Sequence, residues 1–396
     1  MNRGVVQISL IAACFCLFPG IAQAAWRTAD LTSMTGAPPT FTPSLTSYTL
    51  GETEHVVFVD SQNHLRVVSR PNSGAAWTAV DATASAGGQP ITQTFLTSYA
   101  IGNIQNIVYV GAASHLHLLS NANFEASWHD RDLTALDGAP AFGGWLTSYT
   151  SGSEEHIVYA DAAMGDVQDL HRTDGAGAWQ MENISSATGI HNGAFNLTTY
   201  TAGTNQHILY VDEYLGHVHD IARAGNLPAW TDTDLTLTLN LPLSYSHSVF
   251  LSGYSLGNEE HIFGLFFNTG QSNQPSTLFE LYRPNANSNW QAYNVQASVN
   301  LPQPLQPFTS LESYTVANSQ HVVYIDSSQH VHEICLPNPG PRVGWQSDPT
   351  SSAHAPVAAS NSPLTSYVTG GIQHVFYIDE NSHLNVVEAN WLNPWN

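Results

Sequence analysis

A chain of 396 residues with 31 acidic and 9 basic side chains, all nine of them arginine, carries a formal net charge of -22. Such a charge is repelled by a phosphate backbone and by anionic lipid, which excludes nucleic-acid binding and electrostatic membrane adhesion as first readings. The 42% hydrophobic content supports a packed core, and the length calls for several domains or a repeat architecture.

The first 24 residues read as an export signal. Arg3 supplies the positive start, Val5 to Phe18 an apolar run, and Ala22-Gln23-Ala24 a small-x-small cleavage pattern. Cleavage after Ala24 predicts a secreted or periplasmic protein, with one domain over 25–396. The stretch IAAC, Ile11 to Cys14, offers a second reading, lipid anchoring at Cys14. No later segment is apolar enough for a membrane span. Cys14 and Cys16 leave with the signal, so Cys335 has no partner for an intramolecular disulfide. Flanked by Ile334 and Leu336, it reads as a small buried hydrophobe.

From Trp26 onward the chain repeats itself at intervals of roughly 50 residues. An LTSY element ends at Tyr48, Tyr99, Tyr149, Tyr200, Tyr254, Tyr314 and Tyr367. A histidine follows each at His55, His156, His207, His261, His321 and His374, with Asn106 in the second unit. A tryptophan, often opening W-x3-DLT, stands at Trp26, Trp77, Trp128, Trp179, Trp230, Trp290 and Trp345.

Each unit predicts four short strands. We call them a (LTSY), b (HVVFVD and its kin), c (HLRVV and its kin) and d (the Trp segment). They are rich in β-branched and aromatic residues and bounded by polar turns, and no long segment has helical periodicity. Four strands per unit of this length predict an all-β fold, a seven-bladed β-propeller of antiparallel blades. The last unit lacks a fourth strand, whereas WRTADLT at Trp26 to Thr32 has nothing before it. Pairing the two closes the ring and removes both free edges. Trp391 and Trp395 fall outside the repeat.

Strand polarity places Tyr48, His55 and Trp77 on one face of the disc and Asp60 and His64 on the other. Strands a and d of one blade lie roughly 14 Å apart, so grooves between blades are easier sites to build than single blades. A sugar needs an aromatic platform and a few fixed polar groups. Each unit supplies a Trp, a Tyr and usually a His. The candidate carbohydrate-binding residues are therefore Trp26, Trp77, Trp128, Trp179, Trp230 and Trp345, with the pairs Tyr48/His55, Tyr149/His156, Tyr200/His207, Tyr314/His321 and Tyr367/His374. Repetition of such sites implies avidity toward glycans. For any single position, the competing reading is that every blade needs that residue structurally.

The segments WHDRDLTALDGAPAFGGWLTSYTSGSEEHIVYAD (Trp128 to Asp161) and SQHVVYIDSSQHVHEI (Ser319 to Ile334) resemble the bacterial seven-bladed propeller lectins of the fucose-binding, PLL-like kind. The resemblance runs along all of the chain after the signal. It implies a secreted, non-enzymatic protein that binds fucose-like or O-methylated sugars between blades. Several units depart from the pattern. The second has Asn106 and Gly111, the third Asp166 and Gln168. The fifth lacks the Tyr and Asp of strand b, so fewer working sites than blades are expected.

The H-x-H pairs His115/His117, His217/His219 and His330/His332 share a sheet face at period two. Each lacks an evident third ligand in its unit, and Arg66, Gln168, Phe279 and Asn385 fill the second slot elsewhere. They read as structural or sugar-facing, with no metal and no cofactor expected. No nucleophile elbow, P-loop or zinc-protease motif occurs. The expected partners are glycans or glycoconjugates, and self-association into a homo-oligomer is compatible with the chain. Two other readings stand beside the lectin: a protein-interaction propeller in a surface complex, and a glycoside-active enzyme using the unusual fifth unit.

Overall fold

The computed structural model describes residues 26–390, apart from 191–192, 226, 228, 243–248, 267–276, 300, 303–309, 317–318 and 338–344. The expected signal, Cys14, Trp391 and Trp395 lie outside the described residues. Seven four-stranded antiparallel sheets form the blades of a β-propeller. The first blade shows the plan: strand a is Thr40–Leu50, b Thr53–Asp60, c Leu65–Arg70 and d Thr78–Asp81. In the seventh blade, strands a to c are Leu364–Thr369, Ile372–Ile378 and Leu384–Asn390. Its d strand is Trp26–Asp30, which pairs antiparallel with strand c from Trp26 opposite Ala389 to Asp30 opposite Asn385. The N-terminal strand thus closes the ring as the repeat count required.

The core lies between blades. Val57, Val59, Leu65 and Val67 of the first blade pack with Ile107, Tyr109, Leu119 and Trp128 of the second, and comparable clusters fill the other boundaries. Alternation along each strand makes this arrangement, because both faces of a blade meet a neighbour.

The DLT element is only partly strand. Strand d stops at the aspartate, and a five-residue helix follows, as at Leu31–Thr35 and Leu133–Asp137. Asp30, Asp81, Asp132, Asp234 and Asp348 cap these helices by accepting from a first-turn amide. The same carboxylates accept from the first histidine of strand c: His64 to Asp81, His115 to Asp132, His330 to Asp348 and His383 to Asp30, each at 2.8 Å, and His217 to Asp234 at 2.7 Å. In the third blade Asn183 donates to Asp166 instead, at 3.0 Å. The DLT threonine accepts from the backbone N–H that opens strand c, as Thr83 does from Leu65 and Thr32 from Leu384. The aspartate ending strand b shapes the next turn: Asp60 accepts from the amides of Gln62 and His64. In the second blade Gly111 takes this place, where a Cβ would lie 2.8 Å from the His117 ring.

LTSY lines the inside of the ring. Its hydroxyls link successive blades: Thr46 with Ser98 (2.9 Å), Thr97 with Ser148 (2.7 Å), Thr147 with Thr199 (3.1 Å), Ser252 with Ser313 (2.7 Å) and Thr365 with Ser47 (2.7 Å). Gly253 interrupts this belt because a Cβ there would meet the Tyr200 ring at 2.6 Å.

Burial alone would raise the carboxyls of Asp30, Asp81, Asp132 and Asp348. Hydrogen bonds from serine, histidine and the helix amides outweigh it and hold them below the ordinary aspartate value of 3.8. A lowered folded-state pKa contributes stability above about pH 4 that is lost as pH falls further. The urea midpoint should therefore drop between about pH 5 and pH 3. At neutral pH, Asp132→Ala should lose about 1–2 kcal/mol through the cap, and Asp132→Asn less, as read from urea titration of each variant.

Candidate functional site

The repeated tyrosines are joints between blades. Tyr48 donates to Gln105 of the next blade at 2.8 Å, Tyr99 to Glu155 at 2.6 Å, Tyr149 to Gln206 at 2.7 Å and Tyr200 to Glu260 at 3.0 Å. Tyr254 reaches Gln320 at 2.9 Å, and Tyr367 closes the circle on Glu54 at 2.8 Å. Tyr314 instead donates to Glu333 of its own blade at 3.1 Å, which also accepts from Gln373 of the next at 3.0 Å.

The strand-b histidines stack on their blade's tyrosine, as in Tyr149–His156 with centroids 4.3 Å apart, save that His374 is tilted against Tyr367. Five of these histidines pair through Nδ1 with an acid on strand c: His156 with Asp169, His207 with Asp220, His261 with Glu280, His321 with Glu333 and His374 with Glu388. Val67 and Leu118 stand in the acid's place in the first and second blades.

Trp26, Trp77, Trp128, Trp230 and Trp290 are buried, and Trp179 is half-buried. Trp345 opens a short strand opposite Cys335. In four blades an arginine from the end of strand c lies across the tryptophan. Arg70, Arg172, Arg223 and Arg283 sit 4.4, 4.4, 4.3 and 4.5 Å from the centroids of Trp77, Trp179, Trp230 and Trp290. Cation–π attraction and ion pairs hold them in place. Arg70 reaches Glu54 and Glu388, and Arg223 reaches Glu182 and Gln206. These side chains fill the grooves where a ligand would meet the indole. The same slot holds Asn121, Leu336 and Ala389 in the second, sixth and seventh blades.

One consequence is a cavity of about 230 Å³ between the first two blades. His55, Val67, Ser69 and Val80 form one wall, and Gln105, Asn121, Phe124 and Trp128 the other. Val67, Ser69 and Asn121 are short where other blades carry an acid, a ring or an arginine. Gln105 accepts from Tyr48 and donates to Asn121 at 3.3 Å, while Asn121 donates to the carbonyls of Glu125 and Ser127 at 2.8 and 3.0 Å. The polar wall is thereby fixed in place. Neither ring nitrogen of His55 has a hydrogen-bond partner, although the residue is only 3% exposed. Burial pushes its pKa down to about 4. At neutral pH the imidazole is uncharged and presents one donor and one acceptor.

Phe124 stands 55% exposed at the mouth, its ring stacked over His55 at 6.2 Å. It occupies a left-handed turn with Asn123, at φ 55 and 52. Sequence reasoning missed Phe124 and Asn121. A signal was present: arginine recurs seven residues before tryptophan at 70, 172, 223 and 283, and Asn121 breaks that spacing before Trp128.

Of the expected site residues, the structure brings His55 and Trp128 to one cavity with Tyr48 behind them. Elsewhere Tyr149, Tyr200, Tyr314 and Tyr367, and His156, His207, His321 and His374, are engaged in joints and ion pairs. Cys335 is buried, with Sγ 3.6 Å from His321 Nε2, and burial pushes its thiol well above the ordinary value.

A second cavity, of about 270 Å³, lies at the central channel among the starts of the a strands. Phe95, Trp145 and Phe250 line it, and Glu312 is the one charged group among its described lining residues. Glu312 stands where other blades place Thr or Ser, and Ser366, its neighbour in the hydroxyl belt, has no partner. Enclosure pushes the Glu312 carboxyl from 4.5 up to about 8.

The architecture is that of the seven-bladed propeller class. It is similar in structure to the BP39L lectin from Burkholderia pseudomallei (TM-score 0.66, 14% identity, 90% of this chain and 98% of that one). It is also similar to the polysaccharide lyase Uly1 (TM-score 0.57, 8% identity, 90% of each chain). A third likeness is to the fucose-specific lectin from Aleuria aurantia (TM-score 0.50, 14% identity, 78% of this chain and 97% of that one). Identities this low establish the shared fold. No family model and no curated protein matches the sequence.

For Glu312, a folded-state pKa raised from 4.5 to about 8 means the folded chain keeps a proton that the unfolded chain releases. Its contribution to stability therefore falls as pH rises through that window. Glu312→Gln should flatten this dependence, so its thermal midpoint should exceed that of the parent chain at pH 9 and match it near pH 4.

Proposed function

We propose that the protein is an exported, non-catalytic carbohydrate-binding protein whose principal pocket is the groove between the first and second blades. The observation that carries this reading is the unpartnered, uncharged His55 in a cavity walled by Trp128 and capped by Phe124. Aromatic surface suits the C–H face of a sugar, while His55, Gln105 and Asn121 suit paired hydroxyls. Val67 and Val80 add apolar surface for a methyl group, which favours a 6-deoxy or O-methylated sugar. The lectin likenesses and the export signal read from the sequence support the same conclusion.

Further valence would reside in the grooves after the fifth and sixth blades, which also lack the arginine. Among the described residues Glu125 is the one carboxylate lining the principal pocket, whereas hydrolysis by the usual glycosidase route needs two facing carboxyl groups.

Calorimetric titration with α-methyl fucoside and a panel of methyl glycosides tests the reading. Binding by the parent chain should weaken about tenfold in Phe124→Ala. Asn121→Arg should abolish it, because the guanidinium would cover Trp128 as Arg223 covers Trp230, with circular dichroism and melting verifying that the variant folds. Absence of binding to any saccharide at millimolar concentration, or undiminished binding by Asn121→Arg, would overturn it. Release of unsaturated or reducing ends from polysaccharides would overturn the non-catalytic part.

A further inference from the structure

The groove after the third blade carries a different chemistry. His156 on strand b lies directly opposite His171 on strand c. Asp169 Oδ2 is 3.0 Å from His156 Nδ1 and 3.5 Å from His171 Nδ1. One donor atom from each of the three lies within 4.8 Å of the others. The slot of His171 is filled by Ser69, Ser120, Ala222, Tyr282, Cys335 and Glu388 in the other six blades. The second imidazole is therefore no requirement of the fold.

Its Nδ1 makes no hydrogen bond despite burial, and the ring keeps 20% exposure toward the groove. Glu154 Oε2 lies 3.8 Å from the otherwise unpartnered His156 Nε2. In this structure Asp169 accepts from His156 Nδ1; a metal ion would displace that proton and take the Nδ1 lone pair, with the ring proton then carried on Nε2 on the side of Glu154. Around the cluster stand the carboxylates of Glu154 and Glu182 and one guanidinium, Arg223, engaged by Glu182 at 3.3 Å and Gln206 at 2.7 Å.

We propose that His156, Asp169 and His171 bind a divalent first-row cation of the zinc type, with a fourth position open to water. Nitrogen and oxygen ligands about 2.0–2.1 Å from a tetrahedral ion lie roughly 3.3 Å from one another, and the two measured separations bracket that value. The His217–Asp234 and His330–Asp348 groups are different. Their His–Asp contact recurs in the first and seventh blades, where Arg66 and Asn385 replace the second histidine, so the cap accounts for it. The site stands apart from the sugar pocket and does not depend on it.

Equilibrium dialysis of the full chain against zinc chloride, with cobalt(II) absorption as a coordination signature, tests the assignment. His171→Ser copies the first and second blades and should fold, as circular dichroism and melting would verify. His217→Ala serves as the control. One ion per chain is expected at micromolar zinc, with affinity falling about tenfold or more in His171→Ser and unchanged in His217→Ala. A tetrahedral cobalt band should vanish in His171→Ser alone. Failure of the parent chain to bind one equivalent, equal binding by His171→Ser, or loss in His217→Ala would each overturn it.

Discussion

Everything in this ring depends on the hydroxyl that crosses from one blade to the next. Strand pairing holds a blade together but does nothing for its neighbour. In six of the seven blades the tyrosine closing strand a reaches a Glu or Gln at the start of the next strand b, and a polar group so deeply buried is costly without a partner. That contact sets the spacing of the groove outside it. The histidine stacked on the tyrosine, the acid on strand c and the arginine across the indole then decide what the groove contains.

The contents of the grooves differ more than their frames. Where arginine is present it satisfies a buried carboxylate or amide and covers the indole. Where Asn121 replaces it, the partner at the start of strand b is the uncharged Gln105 and strand c of the first blade carries Val67, so no unpaired charge is left behind. The loss of both charges together makes an uncharged opening energetically tolerable. The third blade follows the opposite course, keeping the acid and the arginine and adding an imidazole.

Architecture was legible because it depends on recurrence: seven tyrosines, a missing last strand and an orphan first one sufficed to close the ring. The capped helices were not read, because five residues are too few for amphipathic periodicity. Their aspartate and the Gly36 or Gly138 that ends them are visible only as spaced single letters. The pocket was less legible still. Reading the repeat for shared residues led to Tyr149, His207 and their kin, which the frame consumes in joints. The cavity arises where the repeat fails, at Asn121 and Phe124, and neither residue type announces a site by itself. His55 was among the expected residues, but its distinction from His156 lies in the partner it lacks, on a strand twelve residues away.

The seam in the seventh blade imposes an order on assembly. Trp26–Asp30 leaves the ribosome before any of its partners exist, and Leu384–Asn390, against which it lies, comes last. The strand that completes the circle thus waits until the seventh blade has been made. During that wait the chain has two open edges and cannot settle as a ring. Closure is therefore a single late event, and a chain cut short of Leu384 would keep both edges open.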